Sequence, residues 1–192
     1  LDAIVIPVYK GKVATSRMDN HRPISLTSVL CKVMERCIKL EVSNYLVSHN
    51  LLSAHQHGFT CHHSTLTNLL ESTNDWVNMM QEGSCVDVAY FDLRKAFDSV
   101  SHSKLLLKCR AYGIQGLLLG YFSAFLLNRR QRVVINGAKS QWQPVISGTP
   151  QGSVLGPLFF LIFINDAPDG TLEAKMKLFA DDSKLYSALP PK

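Results

Sequence analysis

The pattern of apolar and polar residues predicts a mixed order of strands and helices. Ala3 to Tyr9 is a short run of strand-forming residues. Apolar residues recur at helical spacing from Ser28 to Val47 and again from Ser64 to Met80. A stripe at this spacing is the face that an amphipathic helix usually buries. In the first of these helices the predicted stripe consists of Val29, Val33, Cys37, Leu40 and Leu46.

Beyond Gly83 the pattern changes to a strand, several short helices and two hairpins. Cys85 to Phe91 is rich in strand formers and ends at Asp92. Asn136-Gly137 separates two strand-like runs and is typical of a tight hairpin turn. The helices predicted in this half are Lys95 to Val100, Ser103 to Tyr112, Gly116 to Leu127 and Val154 to Asn165. The order predicts an α+β fold rather than a regular doubly wound alternation.

Composition limits the class of protein and the kind of partner. The chain has 192 residues, of which 46% are hydrophobic and 18% are charged. That is enough apolar sequence for the core of one domain or of part of a larger one, and it disfavours disorder. The net charge of +5 suits a polyanionic partner but does not establish one.

Cysteine usage and the lack of long apolar runs predict an intracellular protein, in the nucleus or the cytoplasm and not secreted. The five cysteines are widely spread and form no C-x-x-C pair, as expected in a reducing compartment. The longest apolar run, Leu158 to Ile164, is too short to span a bilayer, so no membrane partner is expected. The chain begins within strand-like sequence, and we expect it to be part of a longer protein.

Two adjacent aspartates, Asp181 and Asp182, lie in the last predicted hairpin. Neighbouring carboxylates repel each other, and a divalent cation is the usual means of stabilising them. Asp92 is a candidate third carboxylate because it closes a strand and would meet the pair if the strands are neighbours in one sheet. Such a cluster suits magnesium. The alternative is that the pair lies in a solvated turn, where Asp is common.

A glycine- and proline-rich segment from Ser147 to Pro157 is the second candidate site. Its glycines would let the backbone approach a ligand closely, and the Gln151 amide could bind a phosphate or a base. The alternative is an ordinary turn before a buried helix.

Several blocks together resemble the core motifs of reverse transcriptases, in particular those of non-LTR (LINE-type) retrotransposons. The resemblance covers nearly the whole chain, in order and at sensible spacing. The three main blocks are Phe91 to Asp98, Ser147 to Pro157 and Phe179 to Asp182. The supporting blocks are His21 to Leu26, His57 to Phe59, Ser64-Thr65, Gln131 to Val133 and Phe163 to Asp166.

The resemblance implies a right-hand polymerase fold with fingers and palm, in which helices back a small antiparallel sheet. Residues 1–84 would form a fingers-like region and 85–192 most of a palm, with 113–146 as the helix and hairpin between the first two palm motifs. The chain stops soon after Tyr186, so we expect the thumb to be absent and primer-template to be held weakly.

The resemblance also implies an activity, its cofactor and its partners. Deoxynucleotides would be added to the 3′-OH of a DNA primer on an RNA template. Asp92 and Asp181 would hold two magnesium ions, with manganese as an alternative, and Asp182 would support them. The oligomeric state remains open.

Residues that would contact the nucleotide follow from the same match. Phe97 would stack under the sugar and reject a 2′-hydroxyl, unless it is simply a core side chain. Gln151 and Gly152 would lie against the nucleotide and template. Lys10 and Arg22 would clamp the triphosphate, the alternative being a solvated basic loop.

A basic cluster follows the predicted helix that ends at Leu127. It could track a nucleic-acid backbone, or it could be an exposed helix end. Its members are Arg129, Arg130 and Arg132.

Thr60 stands where members of this family usually carry an arginine after Gly-Phe, so one contact to nucleotide or template is in doubt. The nearby His55, His57, Cys61, His62 and His63 raise the question of zinc, but their spacing fits no standard structural site.

Two other functions stay open. One is a catalytically inactive remnant of a retroelement that still binds nucleic acid. The other is a different palm-type nucleotidyl transferase, such as a cyclase, against which the glycine loop and Phe97 argue.

Overall fold

The computed structural model describes residues 2–11, 16–170 and 174–190. Its helices are α1 (Val29–Ser48), α2 (Thr65–Gln81), α3 (His102–Ala111), α4 (Gly116–Leu126) and α5 (Gly156–Ile164). Its strands are β1 (Asp2–Tyr9), β2 (His21–Leu26), β3 (Cys85–Asp92), β4 (Arg129–Ile135), β5 (Ala138–Lys139), β6 (Gln143–Val145), β7 (Lys175–Phe179) and β8 (Asp182–Leu189). Short 3₁₀ helices cover Met18–Asn20 and Ala167–Gly170.

The chain forms two compact units, each built from two separate stretches of sequence. The first unit comprises Leu1–Tyr45 and Phe97–Phe159, and the second comprises Leu46–Ala96 and Phe160–Lys192. These boundaries differ from the predicted division at residue 84. The assignment of residues to fingers and palm therefore stays a prediction.

A mixed sheet and an aromatic core organise the first unit. The strand order is β2-β1-β4-β5, with β1 parallel to β4 and with β6 on the same strand β4. Asn136 and Gly137 have φ of 49° and 82°, as a type I′ turn requires, so the predicted hairpin is confirmed. Phe122 of α4 and Phe159 of α5 meet edge to face at 4.8 Å.

The second unit is a three-stranded antiparallel sheet in the order β3-β8-β7, against which α2 packs. Ser64 begins α2 with a reciprocal capping box to Thr67, which satisfies two N–H groups at the helix start. The Tyr186 ring is almost fully buried and meets Trp76 edge to face at 5.8 Å. This packing fixes β8, the strand that begins at Asp182.

Two sequence predictions about local structure are wrong. Residues 95–100 form turns rather than a helix. The carbonyls of Phe97 and Val100 instead accept hydrogen bonds from the backbone of Thr149 and Gly148.

The buried face of α1 agrees with the predicted stripe at Leu46 but not at its other members. Val29, Val33 and Leu40 are more than half exposed and Cys37 is exposed, whereas Val42 and Glu35 are buried with Leu46. Glu35 explains this difference, because its carboxylate accepts hydrogen bonds from the backbone N–H groups of Val154 and Leu155, immediately before α5. The face of α1 that carries Glu35 is therefore buried, and the face that carries Val29 and Val33 is exposed.

Candidate active site

The turn between β7 and β8 carries the aspartate pair. Phe179 and Asp182 are partners in the hairpin, which leaves Ala180 and Asp181 as a two-residue turn. Ala180 has φ of 56°, a left-handed conformation that L-residues other than glycine rarely adopt. It is also buried, whereas Asp182 is exposed and Asp181 is half-buried. The hairpin thus presents the carboxylates of Asp181 and Asp182 at the end of the sheet.

Asp92 lies directly across the sheet from this turn. β3 and β8 are antiparallel neighbours, and Asp92 is the partner of Asp182. Directly opposed residues have Cβ atoms about 4.5–5.5 Å apart and point to the same face. The prediction that the strands of Asp92 and of the pair are neighbours in one sheet is therefore confirmed.

The donor set at this end of the sheet fits a hard divalent cation. Two carboxylates on adjacent strands and a third in the turn between β7 and β8 offer oxygen ligands only, which magnesium and manganese accept. The backbone register places two of them face to face, where their charges repel unless a cation lies between them.

Among the residues that the structure describes, a different group of side chains has its ligand atoms close enough together to hold a metal ion. The candidate ligand atoms of His57, His63 and Glu71 all lie within 4.8 Å of one another, and the three aspartates are not part of this group. Glu71 Oε2 is 2.6 Å from Lys177 Nζ, and this hydrogen bond lowers the pKa of Glu71. Burial lowers the pKa of His57. Lys177 thus already supplies the positive charge that Glu71 needs.

The glycine-rich segment in the first unit is held by hydrogen bonds at almost every residue. Thr149 N donates to Phe97 O at 3.0 Å, and Ser147 Oγ donates to Asp98 O at 3.0 Å. The buried His102 places Nε2 2.7 Å from Gly148 O, so this nitrogen carries the proton. The segment is a fixed platform rather than a loose turn.

Two glycines in this platform are required by space as well as by conformation. A Cβ on Gly148 would lie 2.8 Å from the Asp98 Cα, and one on Gly152 would lie 3.1 Å from Ser25 O. Gly148 has φ of 84° and Gly152 has φ of 99°, a region in which other residues are strained.

The predicted nucleotide contacts share this unit. Ser25 N donates to Gln151 O at 2.8 Å, which fixes the segment against β2, the strand of Arg22. The Gln151 amide donates to Asp98 Oδ1 at 3.1 Å, which orients the Gln151 side chain. Asp98 directly follows the half-buried Phe97. Lys10 Nζ donates to Asp19 O at 2.9 Å, and Arg22 is exposed on β2.

The three arginines of the basic cluster differ from one another. Arg129 is buried and donates to Phe125 O at 3.1 Å; burial lowers its pKa, and the Glu35 charge opposes that shift. Arg130 is exposed and pairs with Asp2 through two hydrogen bonds of 3.1 and 2.9 Å. Arg132 lies over the Trp142 ring at 4.5 Å.

Sequence reasoning missed two polar residues that support these sites. Gln56 is buried, and its amide binds the backbone of Ala180. Its position next to the His57 to Phe59 block was an available signal. Glu35 had no such signal, because it falls within a helix among other charged residues.

The described helices include none whose length and hydrophobicity would allow it to cross a bilayer.

Known polymerases are similar to this chain in sequence. A family model described as reverse transcriptase (RNA-dependent DNA polymerase) matches residues 9–191. The RNA-directed DNA polymerase from mobile element jockey of Drosophila melanogaster is 32% identical over 88% of this chain and 18% of the relative. The probable RNA-directed DNA polymerase from transposon X-element of the same species is 33% identical over 93% of this chain and 20% of the relative. The chain thus spans about a fifth of these relatives.

Solved structures show the same fold at low sequence identity. Telomerase from Candida tropicalis, solved in complex with the TWJ fragment of telomeric RNA, has a TM-score of 0.69 at 9% identity, over 98% of this chain and 36% of that one. The apo enzyme truncated from its C-terminal domain has a TM-score of 0.62 at 11% identity, over 97% of this chain and 43% of that one. The predicted α+β right-hand polymerase fold is therefore confirmed. With the family match over almost its whole length, the chain belongs to the reverse transcriptase family, and its relatives are RNA-directed DNA polymerases of non-LTR retrotransposons.

Proposed function

We propose that this chain is the catalytic part of an RNA-directed DNA polymerase that uses two divalent metal ions. The observation that carries the proposal is the pairing of Asp92 with Asp182 at the sheet end where the turn presents Asp181. Asp92 and Asp181 would hold the ions, and Asp182 would add negative charge beside them. Bound magnesium would help to activate the primer 3′-OH and to stabilise the departing pyrophosphate.

Residues of the first unit would bind the incoming deoxynucleotide. Lys10 and Arg22 supply positive charge for the triphosphate. The platform from Ser147 to Pro157 would support the nucleotide and template through Gln151 and Gly152. The Ser25 N–H on β2 fixes the Gln151 backbone, Asp98 orients the Gln151 side chain, and Gly152 lies close to Ser25 O. Positioning of this kind supplies much of the catalysis in phosphoryl transfer.

Phe97 would select the sugar of the nucleotide. Its position five residues after Asp92 matches the family's aromatic gate, and it is half-buried rather than a closed core side chain. Replacing it by valine should raise incorporation of ribonucleotides relative to deoxynucleotides. An unchanged ratio would remove Phe97 from the proposed site.

Arg130 and Arg132 would contact the phosphate backbone of the primer or template. Arg130 is exposed, although it must then share its guanidinium with Asp2. We leave Arg129 out of this part of the proposal because its guanidinium is directed to the Phe125 carbonyl and is buried. Loss of either remaining arginine should weaken binding and reduce its salt dependence.

Primer extension on an RNA template tests the proposed function. The assay uses the chain together with any sequence that follows it in its reading frame. Magnesium-dependent extension should be lost in Asp181→Ala. The chain carries all three aspartates, and we therefore favour a polymerase over an inactive remnant. Extension unaffected by Asp181→Ala would contradict the metal assignment.

A further inference from the structure

We propose that Gln56 is a positioning residue that holds the turn of the aspartate hairpin in its left-handed conformation and so sets the direction of Asp181. The inference rests on the proposed function, because it concerns the same carboxylates. It assigns a role to a residue outside the matched motif blocks.

The Gln56 side chain recognises both backbone groups of Ala180. Its Oε1 accepts the Ala180 N–H at 2.9 Å, and its Nε2 donates to the Ala180 carbonyl at 3.4 Å. Oε1 also accepts the Gly58 N–H at 2.7 Å. Because two N–H donors face the same atom, that atom must be the amide oxygen, which settles the orientation of the side chain.

The backbone on either side of Gln56 is fixed to the strand that leads into the turn. His57 N donates to Leu178 O at 2.9 Å, and Leu178 N donates to His55 O at 2.8 Å. Gln56 thereby forms a parallel bridge with Leu178 at the edge of β7. Gln56 is 3% exposed, so the hydrogen bonds of its side chain do not compete with bulk water.

Gly58 allows this segment to approach the turn closely. A Cβ at Gly58 would lie 2.2 Å from the Ala180 nitrogen and 2.9 Å from its Cα. These neighbours are backbone atoms and cannot rotate away. Any side chain at Gly58 would therefore displace the turn that carries Asp181.

Ala180 is the point at which this support matters. With φ of 56° it is strained, and Asp181 and Asp182 follow it directly. Hydrogen bonds to both its N–H and its carbonyl restrain the backbone torsions that orient the next residue. A glycine at this position would adopt the same φ without help.

Hydrogen exchange and Mn²⁺ binding, both measured on the 192-residue chain, test the proposal. Gln56→Met is close in shape and removes both polar partners. We expect exchange at the Ala180 N–H to rise about tenfold or more, because a buried donor loses its acceptor. We expect Mn²⁺ affinity, measured by electron paramagnetic resonance, to fall by a similar factor, while protection in α2 and β3 persists.

Asn165→Leu is the matched control. Asn165 is also a buried amide that binds backbone at two points, the carbonyl of Leu51 and the N–H of Ser53. Its loss should destabilise the same unit without changing Ala180 exchange or Mn²⁺ affinity. Gly58→Ala is a second, independent variant and should reproduce the effect of Gln56→Met on Mn²⁺ binding.

Rescue separates positioning from general stability. Ala180→Gly introduced into Gln56→Met should restore most of the Mn²⁺ affinity, because glycine adopts the turn conformation unaided. Ala180 exchange in Gln56→Met that matches the Asn165→Leu control would overturn the proposal, as would Mn²⁺ affinity unaffected by increased exchange. A wild-type chain that binds no Mn²⁺ would instead contradict the proposed function. In that case Ala180 exchange alone would test whether Gln56 holds the turn.

Discussion

Replacing Glu35 should destabilise the first unit more than any exposed substitution on the same helix. Glu35 is fully buried, and its Oε2 accepts the N–H groups of Val154 at 2.7 Å and Leu155 at 3.0 Å. These groups lie immediately before α5, where free N–H donors and the helix dipole both favour a negative charge. Glu35→Ala leaves both donors unsatisfied at about 1–3 kcal/mol each, so we expect a loss of about 2–6 kcal/mol.

Glu35→Gln separates the hydrogen bonds from the charge. The amide oxygen can still accept both N–H groups, whereas the interaction with the helix dipole is lost, which costs about 1 kcal/mol. The predicted order of stability is therefore wild type, then Glu35→Gln, then Glu35→Ala.

Urea unfolding with matched variants tests this order. Glu41→Ala is the control because Glu41 lies on the exposed side of α1, and such changes usually stay within about 0.5 kcal/mol. Exchange at the Leu155 N–H reports the same contact locally. If Glu35→Ala and Glu41→Ala unfold at the same urea concentration, the anchoring role of Glu35 is wrong.

Three further predictions follow from the same structure. Cys109 is fully buried, and burial raises the pKa of its thiol to about 12. A thiol reagent should therefore modify the exposed cysteines first and Cys109 only on unfolding; the exposed ones are Cys31, Cys37, Cys61 and Cys85. Early labelling of Cys109, detected by mass spectrometry, would contradict its burial. The hydrogen bond from Lys177 lowers the pKa of Glu71 below its ordinary 4.5, so the stability that it contributes is present above that pH and is lost as the pH falls through the lowered value. Glu71→Gln should flatten this acid dependence in urea midpoints, and an unaltered profile would exclude the pair as its source. Gly148→Ala should displace Asp98 and lower thermal stability, by about 1 kcal/mol or more from the left-handed backbone alone, whereas Gly120→Ala on α4, where a Cβ meets nothing, should not; equal melting temperatures for the two variants would refute the steric argument.

Local patterns in the sequence predicted the elements that position the site. The strand that ends at Asp92, the Asn136-Gly137 hairpin and the final hairpin all form as expected, because turn chemistry and strand propensity act over a few residues. The pairing of Asp92 with Asp182 is a tertiary contact. It was expected only on the condition that the two strands are neighbours, which the sequence does not state.

Long-range hydrogen bonds account for what the sequence did not predict. Residues 95–100 have helical propensity, yet their carbonyls pair with the glycine-rich platform. Gln56 and Glu35 are polar and would be expected at the surface. They are buried because backbone donors from distant parts of the chain bind them. The local spacing of apolar residues carries no information about such contacts.

The most direct test of the central claim is magnesium-dependent extension of a DNA primer on an RNA template. The assay compares wild type, Asp181→Ala and Asp87→Ala, each followed by any further sequence of its reading frame. Asp87 is an exposed aspartate on the same strand as Asp92, paired with Ser187 away from the turn, and serves as the matched control. We predict extension by wild type and Asp87→Ala and none by Asp181→Ala. Equal extension by all three proteins would contradict the assignment of the carboxylates as the metal site.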